Sequence, residues 1–155
     1  INGQKSLPLS ICAINLEIMT TTIEDNELND ELQELYLVNK PWLSDLEFLD
    51  TELKFLNPLA ASSPVAVVRT EELNNLLDIK NSYRGLKKDI LSYLHELEPL
   101  IVEKHKDFNL LLIEKHAQLK DRLAEIFKSC VFAKRRIFEC IQSYLSEHNI
   151  AEVVG

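Results

Sequence analysis

The sequence predicts an all-α protein: an antiparallel bundle of three to four long amphipathic helices with coiled-coil-like packing. Three observations predict it. Leucine, isoleucine and aromatic residues recur at alternating steps of three and four along most of the chain, the period of one helix face. Glycine is scarce: of three, Gly3 and Gly155 lie at the ends, and Gly85 alone cannot serve the tight turns of a sheet. Apolar residues make up 46% of 155, enough for one packed core and too many for a disordered chain.

Residues 1–18 come before this signal. Lys5 followed by Leu7 to Ala13 has the outline of a signal peptide, but Pro8 interrupts the apolar stretch. Ile11 stands where a lipoprotein cleavage site needs a small residue before Cys12. Met19, the single methionine, is expected to be the natural start. The expected organisation is therefore a disordered or non-native extension over 1–18, one helical-bundle domain over 19–149, and a C-terminal tail over 150–155.

The first helix is expected to open near Thr21. Thr21-Thr22-Ile23-Glu24 has the form of a capping box, and Asp25 and Glu27 add negative charge at the positive end of the helix dipole. At Pro41 two readings compete. Leu28, Leu32, Leu35, Asn39, Trp42, Leu46, Leu49, Leu53 and Leu56 keep step without a slip, as one kinked helix over about 21–57 would. Against this, an internal proline costs about 3 kcal/mol. Ser44-Asp45-Leu46-Glu47 also forms a second capping box, with Leu43 and Phe48 placed as its hydrophobic staple. A break at 39–43 is the preferred reading. Asn57-Pro58 should end the second helix, and residues 58–69, with two prolines and two serines, should form a loop.

Thr70-Glu71-Glu72 is expected to cap the third helix. Leu76, Ile79, Tyr83, Leu86, Ile90, Tyr93, Leu97 and Leu100 make the cleanest seam. Gly85 lies off it, costs about 1 kcal/mol relative to alanine, and leaves room for a neighbour to approach. One rod from 70 to 147 would run about 115 Å, so a break must fall between 98 and 109. It is placed either at Pro99 or where Asp107 or Asn109 could cap the next helix. In the last helix Leu119, Leu123, Ile126, Cys130, Ala133, Ile137, Cys140 and Tyr144 continue the stepping. Phe127, Phe132, Phe138, Ile141 and Leu145 are expected to widen the core-facing stripe, which favours a bundle over a two-stranded coil. The helix should end near Ser146 to Asn149.

Charge is uneven. Residues 1–75 carry 13 acidic against 4 basic side chains, which is −9, and residues 76–155 carry 12 against 13, which is +1. An acidic first half repels nucleic acid and anionic membrane, and the split suits helices of opposite charge packed together. Lys134-Arg135-Arg136 occupies consecutive positions, so it spreads around the helix and makes no basic stripe. The longest apolar runs are too short to span a bilayer. Cys12, Cys130 and Cys140 are odd in number and lack metal or Cys-x-x-Cys spacing. Ten residues put Cys130 and Cys140 about 15 Å apart along one helix, too far for a bridge. Free thiols and a cytoplasmic location follow as expectations.

Signs of chemistry are few. Glu103-Lys104-His105 recurs as Glu114-Lys115-His116, but the copies would lie about 16 Å apart on one helix, beyond the reach of a single metal ion. Glu-x-His also turns the two side chains apart, unlike the Glu-x-x-His of di-iron bundles. His95 and Glu98 share a face, and His116 falls on the core-facing seam, so His95, Glu98 and His116 are the weak metal-ligand candidates. No catalytic or cofactor-binding residue is assigned and no cofactor is expected. The functional expectation is a non-enzymatic interaction or structural protein with a protein partner or self-association. A metal-dependent bundle enzyme and a small-molecule or lipid-binding bundle are the alternatives. Asn39 on its seam is a candidate register-setting residue.

Overall fold

A computed structural model describes the backbone of residues 3–102 and 110–154, and the side-chain surroundings of 30–102 and 110–148. Three helices make the fold: α1 (Gly3–Ala61), α2 (Ala66–Val102) and α3 (Leu110–Val154). No strand occurs among the described residues. The arrangement is a three-helix bundle, and the contacts fix its directions. Asn39 meets His116, Glu52 meets Lys134 and Ser63 meets Cys140, and both numbers rise together, so α1 and α3 run parallel. Glu96 pairs with Lys115 and Asp89 with Arg122; one number falls as the other rises, so α2 runs antiparallel to α3.

The core follows the expected seams. Leu32, Trp42, Leu46, Leu49, Leu53 and Leu56 enter from α1. Leu76, Ile79, Tyr83, Leu86, Ile90 and Leu97 enter from α2, and Leu119, Leu123, Ile126, Cys130, Ala133 and Ile137 from α3. Burial of each large aliphatic side chain is worth about 1.5–3 kcal/mol, which holds helices that propensity alone would leave marginal.

The boundaries differ from expectation, and most differences involve proline. α1 is unbroken at 39–43 and runs through Pro41 and past Pro58 to Ala61, and Pro99 lies inside α2. Each proline strands the carbonyl four residues back, on Leu37, Lys54 and His95. All three of those residues are exposed, as are the prolines, so the vacated bonds lie on the solvent side of each helix, where water can replace them. The seam is in phase on both sides of Pro41, and two well-buried leucines offset the cost of the ring. Ser44 therefore sits exposed in mid-helix and caps nothing.

The expected loop over 58–69 shrinks to 62–65. Ser62 N donates to Pro58 O at 3.0 Å and closes the last turn of α1, and Arg69 N donates to Val65 O at 2.9 Å in the first turn of α2. Thr70 is not a cap: its hydroxyl donates back to Ala66 O at 3.0 Å inside the helix. A short link is what antiparallel neighbours require. α1 begins at Gly3, upstream of Thr21, and α3 continues to Val154, beyond the expected end at 146–149. The interval 103–109, which holds the first Glu-Lys-His copy, Asp107 and Asn109, lies outside the described residues.

Two packing expectations are corrected. Phe132, Phe138 and Leu145 do not face the core but are exposed, because α3 has two neighbours and their seams already fill its inner face. Phe127 and Ile141 do pack against the core. At Gly85 no backbone approaches closely; an added Cβ would meet Arg122 Nη2 at 3.8 Å, an ordinary contact.

Candidate interaction surface

The split of charge along the sequence becomes a split across helix interfaces. In every inter-helix ion pair among the described residues, α3 supplies the base and α1 or α2 the acid. Three such contacts line the α2/α3 groove: Lys115 with Glu96 at 2.9 Å, Arg122 with Asp89 at 2.7 Å, and Arg136 with both Glu71 and Glu72 at 2.8 Å. Glu72 is fully buried, so Arg136 reaches inward to neutralise it, although Glu72 Oε2 finds no partner. Tyr93 sits deep in the same groove and donates to the Leu112 carbonyl at 2.9 Å. Burial, with Glu96 adding to it, pushes its phenol up to about 12.

Between α1 and α3 the polar contacts are sparser. Asn39 is buried on the α1 seam. Its Nδ2 donates to Leu35 O at 2.6 Å and to His116 Nδ1 at 2.8 Å, while Oδ1 is unpaired. His116 stacks on Trp42 with centroids 5.1 Å apart. Because Nδ1 accepts, the neutral ring carries its proton on Nε2. Burial, and then Lys120, lower the His116 pKa, in keeping with a neutral ring. Further along, Lys134 Nζ meets Glu52 Oε2 at 2.9 Å.

That Lys134–Glu52 pair locates an apolar face. Phe48 and Phe55 lie four before and three after Glu52 on α1, and Val131 and Phe138 lie three before and four after Lys134 on α3. Such positions share a helix face. All four side chains therefore flank one groove, and they are 62%, 53%, 57% and 43% exposed. Leu59, Phe127 and Ile141, half-buried against the core, form its floor. The rows are long. On α1, Val38, Pro41, Asp45, Phe48, Glu52, Phe55 and Leu59 alternate steps of three and four. On α3, Ala117, Lys120, Ala124, Phe127, Val131, Lys134, Phe138, Ile141 and Leu145 do the same. Each helix thus carries a second row beside its core seam.

Neither a family model nor a solved structure matches this chain.

The residues singled out in the sequence do not converge. His95 is exposed on α2. Glu98 accepts a bond from Tyr36 at 3.2 Å, with the phenol pKa raised by that contact. His116 is engaged by Asn39 and Trp42. Among the described residues no three histidine, cysteine or acidic side chains gather in a way that could hold a metal ion. Lys134, Arg135 and Arg136 splay as expected, Lys134 to α1 and Arg136 to α2. Cys130 and Cys140 are free thiols; burial pushes the Cys130 thiol up, and Cys140 Sγ lies 3.6 Å from Ser63 Oγ. A groove of ≈ 430 Å³ between α2 and α3 is edged by Asp78, Glu125, Lys128 and Arg136, and one of ≈ 270 Å³ lies beside His116. The apolar face was the feature missed in the sequence. Its signal, a second four–three row through Phe48, Phe55, Val131 and Phe138, is present in the sequence, where Phe138 is expected in the core stripe and Phe48 as a helix staple.

Among the described residues no helix is long and apolar enough to cross a membrane.

Proposed function

We propose that this chain is a non-enzymatic interaction protein that docks another protein on the face shared by α1 and α3. The observation that carries this reading is the exposed set Phe48, Phe55, Val131 and Phe138, placed by helix spacing on either side of the Glu52–Lys134 pair. Aromatic residues gathered on an open face are the composition of binding hot spots, and the four–three rows suit coiled-coil-like packing against partner helices. The alternatives draw less support. A metal-dependent enzyme needs ligands that converge, and His95, Glu98 and His116 face different neighbours. A small-molecule site needs an enclosing concavity, and the larger groove, floored by Ile79, Phe132 and Ala133, is an open one rimmed by Asp78, Glu125, Lys128 and Arg136. The free thiols Cys130 and Cys140 agree with a cytoplasmic, reducing location.

Photo-crosslinking in the source cell tests the reading. A benzophenone side chain replacing Phe55 or Phe138 should give a discrete protein adduct. The same group replacing the exposed Leu77 of α2 should not. Equal labelling from all three positions, or none from any, defeats the proposal.

A further inference from the structure

We infer that the occupant of the α1/α3 face is a second copy of this chain, docked about a two-fold axis parallel to the helices. The inference rests on the interaction reading above and names its partner. Three observations support it.

The first is charge. The charged side chains within the α1 row are Asp45 and Glu52, and those within the α3 row are Lys120 and Lys134. One wall of the groove thus carries acid and the other base; Glu52 and Lys134 already meet across it within the chain, which leaves Asp45 and Lys120 to pair between copies. When two identical faces meet, a two-fold axis along the helices sets each α1 against the partner's α3, acid upon base. An axis perpendicular to the helices sets α1 against α1 and α3 against α3, acid upon acid and base upon base. Like charges placed across an interface cost affinity. The face is therefore complementary to itself in one orientation, with the parallel one favoured.

The second is register. The 77-residue separation of the short Asn39–His116 and Ser63–Cys140 contacts puts Lys120 level with residue 43, two residues from Asp45, while the longer Lys134 side chain reaches back to Glu52 across a separation of 82. A two-fold axis along the helices keeps heights unchanged. Asp45 therefore faces Lys120 of the second copy within about 3 Å of height, at 1.5 Å of rise per residue. Neither residue takes part in an ion pair among those described within the chain.

The third is extent. From Val38 to Leu59 the α1 row runs about 32 Å, and two helices side by side are roughly 20 Å wide. Such a face covers about 600 Å² on each copy, at the lower edge of specific interfaces. The expected dissociation constant is on the order of 1–100 µM, a reversible dimer.

Sedimentation equilibrium of the full chain at low salt, from about 1 to 200 µM, reads the mass against that expected range. The result expected is a monomer–dimer equilibrium that weakens tenfold or more in Phe55→Glu and in Phe138→Lys, with helical circular dichroism and melting unchanged. Asp45→Lys and Lys120→Asp should each weaken the dimer several-fold. The two swaps together in one chain should restore it, because each new lysine again faces a new aspartate. A perpendicular axis would leave lysine on lysine, and the double swap would stay monomeric. A strict monomer throughout the range overturns the second copy as occupant, and so does a dimer indifferent to Phe55→Glu and Phe138→Lys. Failure of the double swap to restore association overturns the orientation. The broader interaction reading falls separately, on the crosslinking result.

Discussion

The α2/α3 groove and the α1/α3 groove are lined by the same helix, α3, yet they are finished differently. Along α2/α3 the flanks carry ion pairs at three levels, Glu96–Lys115, Asp89–Arg122 and Glu71/Glu72–Arg136. Along α1/α3 the Glu52–Lys134 pair stands between exposed phenylalanines. A groove whose flanks are mostly charged has less apolar area left to bury. A groove whose flanks are aromatic has apolar area left to bury, roughly 25 cal/mol for each Å² removed from water. The contrast therefore separates an interface edged mainly by ion pairs, where Phe132 is exposed, from one edged mainly by exposed aromatics.

Breaking the ion-paired groove should give the largest effect. Arg136→Ala strands the buried carboxylate of Glu72, whose side chain is 2% exposed. Breaking a fully buried pair costs 3–5 kcal/mol; here Arg136 is itself 35% exposed, so water enters when it is truncated, and about 2–3 kcal/mol is expected. Urea unfolding should show the loss, and Glu72→Met together with Arg136→Met should recover most of it. Gly85→Ala, on the same side of the molecule, should raise stability by about 1 kcal/mol, since the new methyl meets only the end of Arg122. An unchanged or lowered midpoint would show that the groove is tighter there than its geometry states.

The aromatic-edged groove should respond more weakly. Lys134→Ala removes a partly exposed pair and should cost about 0.2–1 kcal/mol, diminishing with added salt. The Asn39–His116 contact should add a pH dependence. Burial holds the folded His116 pKa below its ordinary 6.5, so between those two values the unfolded chain binds more protons than the folded one. Stability from this group is full above about 6.5 and declines as the pH falls from there through the folded value. Thermal melts between about pH 7.5 and 5 should show that slope, and His116→Gln should flatten it. Phe55→Ser should be smallest of all, within about 0.5 kcal/mol on the isolated monomer, because the ring is exposed before and after. A larger loss would mean that Phe55 belongs to the core.

Much of this was legible in the chain. The core seams of α2 and α3 were read residue by residue, because apolar side chains at helical spacing have few other places to go. The placement of Asn39 on a seam, and of His116 toward the interior, was also legible. Glu72 was not: as Thr70-Glu71-Glu72 it resembled the first turn of a helix, where acids are exposed. Its burial depends on α2 starting at Ala66 and on Arg136 arriving from α3. The prolines misled for a related reason. Local rules price the lost hydrogen bond as though no water could replace it, whereas Leu37, Lys54 and His95 all face solvent.

The sequence by itself determined that the chain is helical and which residues form the inner seams, because periodicity is a local property written in every turn. Tertiary structure decided where helices end, which acid meets which base, and which apolar row is left uncovered. The reason is geometric. A helix with two neighbours can bury little more than half its circumference, and a row such as Val131 and Phe138 learns whether it is core or surface only from where those neighbours stand.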